Sequence, residues 1–247
     1  MNKTKTAAIV VGANGGIGYA TMKCFEKDEQ IDHVFAISRD LHAERNLNNT
    51  NTTWLKSDST EESITRICAH LQSSIFSVRY IVIATGILHN THSGIKPEKR
   101  IASLTPDSLH EVFNINTFLP MQWLKGFTEL LSKKNQTNIA VLSARVGSIE
   151  DNRLGGWYSY RASKAALNML LKTLAIEYQR RFPKTKLTSF HPGTTDTNLS
   201  KPFQAGVPEH KLFTVEFVAQ RLHQLLQVSA PDGELSFQDW DHKSIPW

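Results

Sequence analysis

Apolar and polar positions along the chain alternate between two patterns. Unbroken β-favouring runs occur at Thr6–Val11, His33–Ser38, Thr53–Lys56, Arg79–Ala84, Asn138–Ser143, Lys186–Phe190 and Glu234–Phe237. Runs without a polar alternate predict strands buried on both faces, as in a parallel sheet covered by helices. Between them the spacing turns helical over Tyr19–Lys27, Glu61–Gln72, Thr105–Leu131, Tyr158–Tyr178 and Val215–Leu226. Strand and helix in regular succession predict one α/β domain over residues 1–247, a doubly wound parallel sheet with its ligand at the C-terminal strand ends.

Local signals set the helix boundaries. Ser59 or Thr60 is a natural cap for the Glu61 helix, and Thr105-Pro106-Asp107 is a helix start with proline in its first turn. Asn114 and Asn116 then interrupt the apolar face in mid-helix, followed by Pro120. Asparagine competes with the helix for backbone hydrogen bonds, so an unusual backbone or a functional contact is expected there.

Composition narrows the class. At 247 residues, with 40% hydrophobic and 21% charged residues, the chain is an ordinary globular one that can bury a large core. The net charge of +5 comes from scattered groups such as Lys133-Lys134 and Arg180-Arg181, with no basic arm or interleaved aromatics, so nucleic acid is not the expected partner. Cys24 and Cys68 make no metal-like spacing, which fits a reducing cytoplasm. The apolar run Ala7–Ala13 is too short for a membrane span or a signal peptide. His89 and His92 have no Cys, Asp or Glu nearby to complete a metal site.

The candidate chemistry sits at predicted strand ends. Gly12-Ala13-Asn14-Gly15-Gly16-Ile17-Gly18 links the first strand to the first helix, the Rossmann-type start in which glycines let backbone approach a pyrophosphate at a helix N-terminus. Ser38-Arg39 ends the second strand with no acidic residue before the arginine, which favours a 2′-phosphate and hence NADP, NAD remaining possible. Asp58 and Ser59 follow the third strand, where Asp58 suits contact with an adenine; Ala84-Thr85-Gly86 follows the fourth, where small residues let a ribose lie close. Tyr160 and Lys164 are four residues apart on one helical face. A phenol ordinarily titrates near pH ~10, and a neighbouring ammonium favours its ionised form. Tyr19 and Lys23 have the same spacing, so the context of the strand ends singles out the later pair.

These motifs, in this order and over essentially the whole chain, resemble the short-chain dehydrogenase/reductase family. Gly12, Gly16 and Gly18 match its glycine loop, although Val11 stands where Thr is usual. Ala84-Thr85-Gly86 resembles its Asn-Ala-Gly segment, and Asn116 falls where its catalytic asparagine breaks a helix. Tyr160-Arg-Ala-Ser-Lys164 matches the Tyr-x-x-x-Lys site, and Pro192-Gly193-Thr194 through Thr197 matches the loop that closes on the nicotinamide. Gly155–Asn168, His191–Ser200 and the Trp-rich end look most like the C-factor-like branch.

The resemblance implies hydride transfer between NADP and a small-molecule carbonyl or alcohol. Tyr160 would be the proton donor, Lys164 would lower its pKa and hold the nicotinamide ribose, Asn116 would hold a water, and Thr194 and Thr197 would steady the cofactor. It also implies a homodimer or homotetramer through the Thr105–Leu131 and Tyr158–Tyr178 helices. One position departs. The family's catalytic serine stands three residues before a glycine, and in Ser143-Ala144-Arg145-Val146-Gly147-Ser148 that register holds Ala144. Ser143, or Ser148, would then supply the hydroxyl, with Ser143 the preferred candidate. Ala144 keeps a second reading open, a nucleotide-binding signalling protein with little turnover. Substrate walls are expected from Ile87–Arg100, Ile149–Trp157 and Leu199–Phe213, with Trp157, Phe203 and Phe213 giving an apolar or aromatic lining.

Overall fold

The computed structural model describes residues 5–40, 50–74 and 76–247. Seven parallel strands form one sheet in the order β3-β2-β1-β4-β5-β6-β9. They are β1 (Lys5–Val11), β2 (His33–Ser38), β3 (Thr52–Lys56), β4 (Phe76–Ile83), β5 (Thr137–Leu142), β6 (Thr185–His191) and β9 (Leu235–Asp239). A separate two-stranded ribbon, β7 (Thr194–Thr195) with β8 (Leu212–Phe213), was not expected from the sequence. The helices are α1 (Gly16–Glu26), α2 (Glu61–Gln72), α3 (Pro106–Phe113), α4 (Leu119–Phe127), α5 (Tyr158–Arg181) and α6 (Val215–Val228).

The unbroken apolar runs mean what they predict. In β1, Ala7, Ile9 and Val11 enter one core while Ala8 and Val10 enter the other, because successive side chains point to opposite faces. The first core is completed by Ile64 and Ile67 of α2, Trp123 and Phe127 of α4, and Leu167 and Leu171 of α5. Met22 and Phe25 of α1 and Val218 and Leu222 of α6 complete the second. Each such side chain contributes about 1.5–3 kcal/mol by leaving water, so the sheet is held from both sides.

The long helix expected over Thr105–Leu131 is divided. Thr105 caps α3, accepting a hydrogen bond from the Ser108 N–H. The turn Asn114–Phe118 then widens to π geometry before α4 begins. Such widened turns occur mostly at functional sites, and Asn116 lies in this one. The direction of winding reverses between β1 and β4, which places the ligand crevice beyond their C-terminal ends.

Candidate active site

The loop after β1 is built for close approach. Gly12 has φ +83°, and its N–H donates to the Ile37 carbonyl of β2 at 2.9 Å. A β-carbon at Gly18 would lie 2.3 Å from the Gly12 carbonyl oxygen, so only glycine fits where α1 crosses the loop. The N-terminus of α1 has no side-chain cap and no acidic residue in its first turn. Its free N–H groups and dipole therefore suit a pyrophosphate.

A cleft of about 730 Å³ opens beside this loop. Gly12, Asn14, Ser38, Arg39, Asp58, Ser59, Ala84, Thr85 and Gly86 all line it, drawn together from the ends of four strands. Arg39 is exposed at the rim. Asp58 Oδ1 accepts from the N–H and the hydroxyl of Thr60, which hold its carboxyl below the ordinary value. Thr60, the N-cap of α2, is the capping residue of the two candidates. The Thr85 hydroxyl is buried and, among the described residues, has no hydrogen-bond partner. Gly16 and Ile17 open α1 behind the loop, and Gly16 faces Thr197: a β-carbon there would meet the Thr197 methyl at 3.0 Å. Pro192 and Gly193 follow β6, and Thr194 begins β7.

Asn116, Lys164 and Gly86 converge. Asn116 Oδ1 accepts from the Ile87 N–H at 2.8 Å, and its Nδ2 donates to the Ile87 carbonyl at 2.9 Å and to Ser163 Oγ at 3.2 Å. A β-carbon at Gly86 would stand 3.5 Å from Asn116 Oδ1 and 3.8 Å from Lys164 Nζ. Lys164 is buried and donates to the Leu142 carbonyl at 2.9 Å. Tyr160, one turn earlier on α5, packs with Leu88, Ala144, Val146, Trp157, Leu199 and Phe203 in a small apolar cluster of its own. Burial pulls Lys164 down to about 7 and pushes Tyr160 up to about 12. The expectation that the lysine lowers the tyrosine pKa therefore does not describe this structure, in which desolvation of the phenol prevails.

Two further expectations are corrected by geometry. Ser143 does not turn its hydroxyl to the Tyr160 cluster. It donates to Asn168 Oδ1 at 2.9 Å, and Ala144 is the residue beside Tyr160, as alternation along an extended chain requires. Ser148 Oγ accepts from the Asp151 N–H at 3.0 Å within its own turn. Phe213 is not a wall of the substrate side: it packs on Trp240 at 4.4 Å and on Phe217 at 5.0 Å, against Gly193. Ile149 and Leu154 point to solvent, whereas Leu88, Val146, Trp157, Leu199 and Phe203 pack around Tyr160, four of them within the stretches expected to wall the substrate. Leu88, Leu199 and the buried Glu98 were not singled out by sequence, because single residues in irregular loops carry no periodicity.

His89 Nε2 contacts the Asn198 carbonyl at 3.1 Å and its ring lies 5.7 Å from Phe203, tying the loop after β4 to the loop after β7. Behind the site His191 is half-buried, with its Nδ1 enclosed. Desolvation, with the Arg145 charge, pulls it down to about 4 against the pull of Asp239 and Asp151.

Residues 6–207 match the family described as short chain dehydrogenase. The chain belongs to that family. Within it, benzil reductase ((S)-benzoin forming) of Bacillus subtilis is 26% identical over 92% of this chain and 96% of its own length. C-signal of Myxococcus xanthus is 28% identical over 55% of this chain and 76% of its own length, in keeping with the C-factor-like resemblance. The NADPH-bound carbonyl reductase from chicken fatty liver has the same fold, with TM-score 0.82 and 23% identity over 99% of this chain and 100% of that one. Short chain dehydrogenases are an oxidoreductase family.

Proposed function

We propose that this protein is an NADP-dependent carbonyl reductase with Tyr160 as its proton donor. The reading is carried by Lys164 and Asn116 meeting at Gly86, which lines a cleft whose other walls fit a dinucleotide, with Tyr160 one turn before Lys164 and packed on Leu88 and Leu199 of the same cleft. The nicotinamide supplies the hydride when bound. Tyr160, with its pKa raised, holds its proton at neutral pH and can deliver it to a carbonyl oxygen. Lys164, near 7, exchanges a proton readily and lies where a ribose would rest on Gly86. Asn116 fixes Ile87 at the cleft wall and keeps the π turn open against α5. Arg39 at the rim suits a 2′-phosphate.

The apolar wall of Leu88, Trp157, Leu199 and Phe203 favours aromatic or apolar carbonyls, and the benzil reductase likeness points the same way. Tight binding of NADPH followed by in fluorescence, then turnover of benzil and other aromatic ketones, is the expected result. Tyr160→Phe abolishes that turnover, a loss of at least about 10²–10⁴-fold, and leaves NADPH affinity intact. Arg39→Ala weakens NADPH about ten- to a hundredfold and NADH little, as loss of a charge-assisted contact requires; equal losses for both remove the 2′-phosphate assignment. Binding without turnover would instead support the signalling reading, which Ala144 and the C-signal likeness favour. The helix faces expected to form a homodimer or homotetramer expose Phe118, Met169 and Ile176, and sedimentation of the purified protein tests that proposal.

A further inference from the structure

The turn that leads into the Tyr160 helix is unusual. Gly155, Gly156 and Trp157 have φ of +63°, +66° and +54°, three successive left-handed residues, the last with a full side chain. That conformation is sterically costly for an L-residue, so something must hold it. Trp157 is also the N-cap of α5, and its side chain makes no capping bond.

Glu98, from the loop after β4, supplies what is missing. Its carbonyl accepts from the Trp157 N–H at 2.5 Å. Glu98 Oε2 accepts from the Ser159 N–H at 3.1 Å, and Oε1 accepts from the hydroxyls of Ser159 and of Ser108, the latter at 2.6 Å. Glu98 is 3% exposed. Burial works against its charge, but the bonds from Ser108 and Ser159 prevail and keep it below the ordinary glutamate value. A carboxylate at a helix N-terminus also meets the positive end of the dipole. On the other side of the turn, Arg161 donates to the Gly156 carbonyl at 2.9 Å and the Gly155 carbonyl at 3.2 Å. So gripped, the Trp157 ring stands 6.1 Å from the Tyr160 ring and 5.4 Å from Phe203.

We infer that Glu98 is a positioning residue: it caps α5 from a distant loop, and so fixes Tyr160 in the first turn and Trp157 on the substrate wall. This rests on Tyr160 being the proton donor. The helix as a whole does not need the cap, because α5 runs 24 residues and buries Leu167, Leu171, Ala175 and Tyr178 in the first core. Only its first turn does, and Tyr160 is the third residue of that turn.

The test compares Glu98→Ala and Glu98→Gln with the parent. Glutamine keeps one acceptor for the Ser159 N–H and loses the charge. Glu98→Ala lowers kcat for aromatic ketones about 100-fold, the scale of a displacement near 1 Å, while NADPH affinity is unchanged. It also opens Trp157 to acrylamide quenching, read as the difference between each protein and its Trp157→Phe counterpart. Glu98→Gln restores part of both, and decides the matter alone if the alanine variant does not fold. A lowered Tm with kcat and Trp157 quenching equal to the parent would overturn the inference and leave Glu98 as packing. If the parent turns over no ketone, the Tyr160 reading falls, whereas the quenching comparison still decides whether Glu98 holds Trp157.

Discussion

Two lysines in this molecule are equally hidden and differently kept. Lys164 is 3% exposed and Lys186 4%. Lys186 Nζ lies 2.7 Å from both carboxylate oxygens of Asp232 and 3.0 Å from the Glu234 carbonyl. Burial tends to raise the Asp232 carboxyl, and Lys186 holds it below its ordinary value all the same. Among the described residues Lys164 has only the Leu142 carbonyl, and no carboxylate forms an ion pair with it. A buried ammonium with a full set of partners serves the fold, and one left to a single carbonyl is poised to give up its proton.

Substituting each lysine by methionine sharpens the contrast. Lys164→Met lowers kcat by about 10²–10⁴-fold, as expected for a residue of the proton-transfer machinery, with no loss of Tm. Lys186→Met costs about 1–3 kcal/mol of stability, because a charged hydrogen-bond set is lost and Asp232 is half-exposed and can return to water. Its kcat stays at the parent value. Stopped-assay kinetics and thermal melts on the two variants would break the comparison if the effects were exchanged.

The pH dependence follows from the sign of the Lys164 shift. Its pKa falls from 10.5 to about 7 on folding, so between those values the unfolded chain binds more protons. Its contribution to stability is fully present above the unfolded value and is lost as pH falls to the folded one. The parent therefore gains stability relative to Lys164→Met as pH rises from 7 toward 10. Urea midpoints of both proteins at the two ends of that range measure it; a constant difference would mean that Lys164 is not desolvated.

The sheet was legible because its signal is repeated. Both faces of every central strand are covered, so the apolar runs are unbroken, and His33–Ser38 and Glu61–Gln72 appear in the fold with the very bounds read from the sequence. Asn116 was legible as a residue that a helix does not favour, and it sits in the π turn. The boundaries of that turn were not, since π geometry has no residue pattern of its own. Glu98 was silent for a different reason. Its role comes from a contact spanning 61 residues, and no local spacing encodes it. Lys164 and Tyr160 were legible as a pair, yet the direction of the Tyr160 pKa shift was misjudged. Spacing says which charges are near and says nothing of how far water is excluded.

The smallest effects concern adjacent residues that repeat the contrast of the lysines. Ser143 Oγ and Ser189 Oγ, the latter at 2.7 Å, both donate to Asn168 Oδ1, so the serine expected to act in catalysis is tied to α5 and to β6. Ala144 lies on the open side with Tyr160 and Leu88, 8% exposed. Ala144→Ser places a hydroxyl where a substrate carbonyl would reach Tyr160, and one added neutral hydrogen bond raises kcat by about two- to tenfold. Ser143→Ala leaves Asn168 with Ser189, costs about 1 kcal/mol of stability, and does not change kcat. A fall in kcat for Ser143→Ala larger than that for its melting point would return the hydroxyl role to Ser143. It would mean that the bond to Asn168 is exchanged for one to substrate during turnover.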